Sequence, residues 1–184
     1  PLHVHPSSGA PLNYEQFHVT YRRKDPNEYN IVHANTLSTK GWHSDITYEK
    51  FPPSITAFAI LDGPDTGGDT IFSDCVEAYN RLSPRFKKMI EGLQAVHSYV
   101  EQAAQSRAEG SIERRAPSTT IHPLVRIHPV TKQKSLFISR AFIKNIVGLK
   151  QEESRAILDL LTDHINNSVD LQIRASYEPG TVVL

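Results

Sequence analysis

Trp42-His43-Ser44-Asp45 opens a segment that continues through Pro52-Pro53 and the apolar run Ile55 to Leu61 into the turn Gly63-Pro64-Asp65-Thr66-Gly67-Gly68-Asp69-Thr70. In an extended strand, residues i and i+2 share a face, so His43 and Asp45 are expected to project side by side. An imidazole and a carboxylate placed that way can take two adjacent corners of an octahedral metal site, with a third ligand arriving from elsewhere. The nine histidines of the chain would supply roughly 0.4 such pairs by chance. The surroundings therefore carry the argument. Trp42 sets a large apolar ring beside the pair, the two prolines close the segment, and Ile55 to Leu61 reads as a buried strand. The Gly-rich turn leads straight into Ile71-Phe72.

The 184 residues carry 20 basic and 20 acidic side chains, a formal net charge of zero, and 39% apolar residues. Such a chain is read as one soluble domain, residues 1–184, able to bury a sizeable core. No nucleic-acid partner is expected, because the basic residues are balanced and dispersed; Arg22-Arg23-Lys24 and Arg114-Arg115 read as solvated loop charge. No membrane partner is expected, since no apolar stretch is long enough to span a bilayer. The single Cys75 rules out an internal disulfide, reads as a small buried residue and fits a reducing compartment, hence a cytoplasmic expectation. Pro1 reads as a cut rather than a natural start. Thr181-Val182-Val183-Leu184, a strand pattern after Glu178-Pro179-Gly180, reads as a strand interrupted.

Short β-prone runs are expected at Leu2 to His5, Phe17 to Tyr21 and Tyr29 to Thr36. Ser73 or Asp74 can cap a helix through Val76, Tyr79 and Leu82, and Ser83-Pro84 begins a second that stops near Gly92. Leu93 to Tyr99 reads as a strand. Val100 to Thr119 is polar and weakly periodic and reads as a long loop, functional or disordered. Ile121 to His128 and Ser135 to Ile138 read as a hairpin. Between Gln151 and Ile165, Ala156, Ile157, Leu160, Leu161 and Ile165 are expected on one helical face. Leu171 to Ser176 and Thr181 to Leu184 close the chain as strands. Short strands with inserted helices and no βαβ alternation point to a mainly β fold, a jelly-roll-like double sheet.

The segment from Trp42 to Thr70 resembles the taurine dioxygenase family of Fe(II)/2-oxoglutarate-dependent oxygenases. Further blocks follow in the family's order: Ala78-Tyr79-Asn80-Arg81-Leu82-Ser83, Gly92-Leu93-Gln94-Ala95-Val96-His97, His122-Pro123-Leu124-Val125-Arg126-Ile127-His128-Pro129-Val130 and Leu136-Phe137-Ile138. The resemblance implies a double-stranded β-helix, incomplete at its C-terminus, with Fe(II) and 2-oxoglutarate as cofactor and co-substrate. It implies that His43 and Asp45 are iron ligands and that the Thr70 hydroxyl bonds the distal carboxylate of 2-oxoglutarate. His5 aligns with a histidine that contacts a sulfonate, Thr39 with a polar substrate contact, and Phe142 with an aromatic wall of the substrate pocket. Thr39 stands where taurine dioxygenase has Asn, and Ser8 where it has Tyr, which opens the choice of substrate.

The family's third ligand, a His after a Trp-Asp-Asn block, and its carboxylate-clamping Arg would fall beyond Leu184. His97, His122, His128 and His164 are not expected to replace that ligand. The implied reaction converts 2-oxoglutarate and molecular oxygen to succinate and carbon dioxide while hydroxylating a small organic substrate. A sulfonate such as taurine would then release sulfite and leave an aldehyde. Residues 100–119 are a candidate lid over the site. Oligomeric state is not written in these motifs, although members of the family commonly form homo-oligomers. The alternative reading is a non-catalytic jelly-roll binding module or an inactive truncated form.

Overall fold

The structure, a computed structural model, describes residues 4–6, 13–14, 17–19, 41–108 and 113–184. Most of the strands expected before residue 41 fall outside this set, as do Ser8 and Thr39.

Local chemistry sets the helix starts. Asp74 caps α1 (Cys75–Asn80): its Oδ1 accepts the Val76 and Glu77 amides at 2.8 and 3.0 Å. Ser83 caps α2 (Pro84–Ile90), accepting the Phe86 amide at 3.3 Å with proline in the first turn. The chain leaves α2 through Gly92 at φ +85°, a conformation open to glycine at little cost.

The expected loop from Val100 is instead helical at its start, α3 (Val100–Ala108). Ser98 Oγ accepts the Val100 amide at 3.3 Å, and Glu, Gln, Ala and Arg are good helix formers. Only Ala103 of this helix is buried, so no apolar stripe advertises it in the sequence.

All strand pairs among the described residues are antiparallel. A short pair joins β1 (Phe58–Ala59) to β9 (Val182–Val183), and β2 (Thr70–Ser73) pairs with β8 (Gln172–Ala175). Gly67 and Gly68, at φ +88° and +76°, make the tight turn that delivers the chain to β2. A three-stranded sheet has β3 (Gln94–Ser98) at its centre between β4 (Thr119–Pro123) and β7 (Ile143–Ile146). A hairpin joins β5 (Val125–Ile127) to β6 (Lys134–Leu136). The single strand expected over Ile121 to His128 thus divides at Leu124. That residue is fully buried, and its amide bonds the Leu93 carbonyl while its carbonyl accepts the Phe137 amide.

The core lies between these strands and α4 (Gln151–Asn167). Ser154, Leu158, Leu161 and Ile165 are buried, whereas Leu160 is 49% exposed and Ala156 faces solvent. The buried stripe is therefore offset from the expected face. Ser154 explains the offset: its hydroxyl lies between the Ile146 amide and carbonyl at 3.1 and 3.4 Å, tying the helix to β7. Ile55 to Leu61 also departs from the expectation of a buried strand. Phe58–Ala59 pair as a strand, Ile60 adds backbone bonds to Thr181 and Gly180, and Ile55 and Leu61 are 70% and 82% exposed.

Candidate metal centre

Trp42 fixes the entrance to the site. Its ring packs against the main core, and its Nε1 donates to the Asn166 side chain near the C-terminal end of α4. The next residues form a turn rather than the expected strand. The pair is nonetheless brought together, with His43 Nε2 3.4 Å from Asp45 Oδ1. Ile46, directly after Asp45, lies at φ +45°, and the Glu49 amide closes onto the Ile46 carbonyl at 3.0 Å. The turn thus does the work that strand alternation was expected to do.

The ring nitrogens of His43 have separate duties. A carbonyl oxygen can only accept, so Nδ1 carries the proton that bonds Gly41 O at 2.6 Å. Nε2 then faces Asp45, donating to it when the ring is protonated and presenting the lone pair a metal ligand needs once that proton leaves. The Asp45 hydrogen bond raises the His43 pKa, against burial and with help from the Gly41 carbonyl. Asp45 is held below the ordinary carboxylate range by His43 first, and further by the Thr56 hydroxyl and by His5 nearby. Both side chains remain about half exposed, at 49% each, so an ion can reach them from solvent.

Two donors bound at right angles to one ion at about 2.1 Å stand roughly 3 Å apart. The His43–Asp45 spacing, with Nε2 on the side of the carboxylate, therefore fits Fe(II). Among the described residues, no group of three or more His, Cys, Asp or Glu side chains is placed to hold a metal. His43 and Asp45 offer two donor side chains toward such an ion.

Aromatic rings wall the pair. Phe142 meets His43 edge-on at 6.4 Å and Tyr48 at 4.9 Å, and Tyr48 stacks on Tyr99 at 4.6 Å. Ile46, Tyr48, Tyr99, Ala103 and Phe142 form their own buried cluster. His5 lies edge-on to Tyr99 at 6.0 Å and 4.3 Å from the ring of His18. Of the residues expected at the site, His43, Asp45, His5 and Phe142 are therefore drawn together. Thr70 opens β2 opposite Ala175, and no hydrogen bond among the described residues links it to the pair.

Thr56, His18, Tyr48 and Tyr99 were not anticipated. Tyr48 alone left a usable signal, standing three residues after Asp45. The segment after α3 clamps this region from outside. Arg115 donates to Glu49 at 2.6 Å and to the Val4 carbonyl at 3.0 Å, and Ser118 Oγ donates to Glu49 Oε1 at 3.0 Å.

His97, His122, His128 and His164 have structural partners. His164 Nε2 donates to the Ala78 carbonyl at 2.8 Å, and His128 Nδ1 accepts the Val130 and Thr131 amides at 3.3 and 3.1 Å. His97 Nδ1 lies 2.8 Å from Thr47 Oγ1, and His122 Nε2 donates to Glu49 O at 2.7 Å. Burial lowers the His97 pKa from 6.5 to about 4, with His122 and Arg126 acting in the same sense.

The unfolded chain takes up a proton below pH 6.5 that folded His97 refuses until about pH 4. The resulting stability is complete above the upper value and declines by about 3 kcal/mol across that window. Urea unfolding over this range is expected to show a steeper acid loss in wild type than in His97→Phe; equal slopes would exclude His97 as the source.

The chain matches the profile of the taurine catabolism dioxygenase TauD, TfdA family over residues 1–184. It is 48% identical to an alpha-ketoglutarate-dependent sulfonate dioxygenase of Saccharomyces cerevisiae, covering 100% of this chain and 44% of that protein. It is 41% identical to the alpha-ketoglutarate-dependent dioxygenase cnsP of Penicillium expansum, covering 100% of this chain and 50% of that protein. A crystal structure of a taurine dioxygenase from Burkholderia xenovorans superposes with a TM-score of 0.66 at 33% identity, over 78% of this chain and 47% of that one. The chain thus spans about half the length of the curated relatives it matches. Matched from its first residue to its last, the chain belongs to the taurine catabolism dioxygenase TauD, TfdA family.

Proposed function

We propose that the full-length protein is an Fe(II)- and 2-oxoglutarate-dependent dioxygenase that hydroxylates a small organic substrate, a sulfonate such as taurine foremost. The observation that carries this reading is His43 Nε2, turned toward Asp45 at 3.4 Å by the Nδ1 bond to the Gly41 carbonyl. The sulfonate assignment is supported by the 48% identical yeast relative and by His5, which lies beside the pair and can donate to an anionic head group.

Bound iron supplies the oxidation: 2-oxoglutarate and oxygen yield succinate and carbon dioxide, and a substrate carbon gains a hydroxyl. Hydroxylation of a carbon bearing a sulfonate gives a product that splits into aldehyde and sulfite. The chain's own part is to bind, orient and exclude water. His43 and Asp45 hold the metal, and a His and an Arg from the remainder of the polypeptide complete the metal and co-substrate sites. Phe142, Tyr48 and Tyr99 give the substrate an apolar wall, Thr39 adds a polar contact, and residues 100–119 act as a lid.

The architecture is a jelly roll of which this chain is an incomplete part. The two-stranded pairs β1–β9 and β2–β8, with Ile71, Phe72, Ile173 and Val182 exposed, support that reading. No helix among the described residues is long and apolar enough to cross a membrane; a cytoplasmic location, for which the single Cys75 speaks, and the lack of a nucleic-acid partner are parts of the proposal. Homo-oligomers are part of the proposal.

The test is sulfite release measured against succinate formation over a panel of sulfonates with the full-length protein. Stoichiometric sulfite supports the substrate class; 2-oxoglutarate turnover without sulfite moves the assignment to another small molecule, and no turnover at all refutes the enzyme. A non-catalytic jelly-roll module is favoured by one observation, the two donors found among the described residues. A gene that continues past Leu184 into a His and then an Arg removes that reading. Thr70→Ala is expected to weaken 2-oxoglutarate binding by about 1 to 2 kcal/mol for a lost hydrogen bond to a charged group, read as its dissociation constant. Unchanged affinity would remove Thr70 from the site.

A further inference from the structure

We infer that His97 and His122 are positioning residues that hold the Asp45–Glu49 turn in the shape that presents Asp45 to the metal. The inference rests on His43 and Asp45 being the metal pair and goes beyond it, because neither histidine touches that pair.

The turn needs holding. Ile46 is β-branched and sits at φ +45°, a left-handed conformation that such residues rarely adopt. Backbone in that region persists only where the surroundings over-determine it. Here the restraint comes from two adjacent strands. His97 on β3 reaches Thr47 Oγ1 through Nδ1 at 2.8 Å, and His122 on β4 donates through Nε2 to Glu49 O at 2.7 Å. The two anchor points flank Tyr48, whose ring is itself locked against Tyr99 and Phe142.

The pegs are rigid. His97 is fully buried, meets His122 edge-on at 5.4 Å and stacks on Phe137 at 5.3 Å; His122 meets Phe137 edge-on at 5.6 Å, and Arg126 lies over the Phe137 ring at 4.3 Å. His97 Nε2 has no hydrogen-bond partner among the described residues. A buried polar atom left unsatisfied is a cost that an apolar ring at this position would avoid. What the imidazole offers in exchange is its bond to Thr47. Partners that orient metal ligands are worth as much as a factor of ten or more in metal affinity, which gives this arrangement a function.

The two histidines use different nitrogens, and this makes the inference testable by rescue. Asparagine reproduces the reach of Nδ1 and glutamine that of Nε2. In the full-length protein, Fe(II) is titrated anaerobically at saturating 2-oxoglutarate and the visible band of the chelate is followed. His97→Phe is expected to weaken Fe(II) binding about tenfold, while His97→Asn stays within about twofold of wild type. His122→Gln is likewise expected to retain affinity and His122→Leu to lose it. Thr47→Val removes the same bond without opening the core and is expected to reproduce His97→Phe, with no added loss in the double variant. It keeps the test decisive if His97→Phe does not fold. Wild-type affinity in both Thr47→Val and His97→Phe, or an equal loss in His97→Asn and His97→Phe, overturns the positioning role. A wild-type protein that binds no Fe(II) overturns the metal site itself, which is a separate outcome.

Discussion

His43→Ala and Asp45→Ala, each made in the full-length protein, are expected to abolish the visible charge-transfer band that Fe(II) and 2-oxoglutarate give in the absence of oxygen. Each removes one of two donors that stand 3.4 Å apart, and no third His, Cys, Asp or Glu among the described residues is placed to compensate. The losses have different origins. His43→Ala deletes the ring nitrogen that the Nδ1 bond to the Gly41 carbonyl turns toward Asp45. Asp45→Ala deletes the negative charge and also frees the Thr56 hydroxyl that bonds it. Unfolding midpoints close to wild type are expected for both, since the pair is half exposed and lies outside the two buried clusters. A retained band with wild-type iron affinity in both variants would refute the ligand assignment.

Leu161→Ala is expected to cost about 2 to 5 kcal/mol, read as a lowered midpoint in urea unfolding with little change in slope. Leu161 is fully buried at the middle of the α4 stripe and belongs to the cluster that also takes in Ile90, Leu124 and Ile146. The loss combines transfer of the missing methyl groups with the cavity left among neighbours held by three separate elements. The neighbouring Leu160→Ala is the control. At 49% exposure it is expected to cost well under half as much. Equal costs at the two positions would mean that α4 packs through the face its apolar periodicity suggested.

Elements with a local cause were readable along the chain. The caps at Asp74 and Ser83 and the start of α4, where Glu153 accepts the Lys150 amide, follow from side chains bonding amides a few residues away, and the stop at Gly92 follows from glycine's freedom at positive φ. Where the cause is distant, reading failed. α3 buries a single alanine and so looks like a loop, and the α4 stripe is displaced toward Ser154 because β7 offers that hydroxyl a partner. The run Ile55 to Leu61 is apolar enough for a buried strand, but its burial depends on what covers it.

The site divides along the same line. His43 and Asp45, two residues apart beside Trp42, were visible as a candidate pair because spacing alone limits how far apart they can lie, and the motif blocks around them were enough to point to the family. How the pair is made to face one ion was decided elsewhere. A left-handed Ile46, a carbonyl at Gly41, an anchor from Trp42 to Asn166 and two histidines on β3 and β4 set the turn, and all but the first two are brought to it from tens of residues away. Ligand identity is a property of side chains and survives in the order of the residues. Ligand geometry depends on contacts across the fold, which only the packing of strands and helix can make.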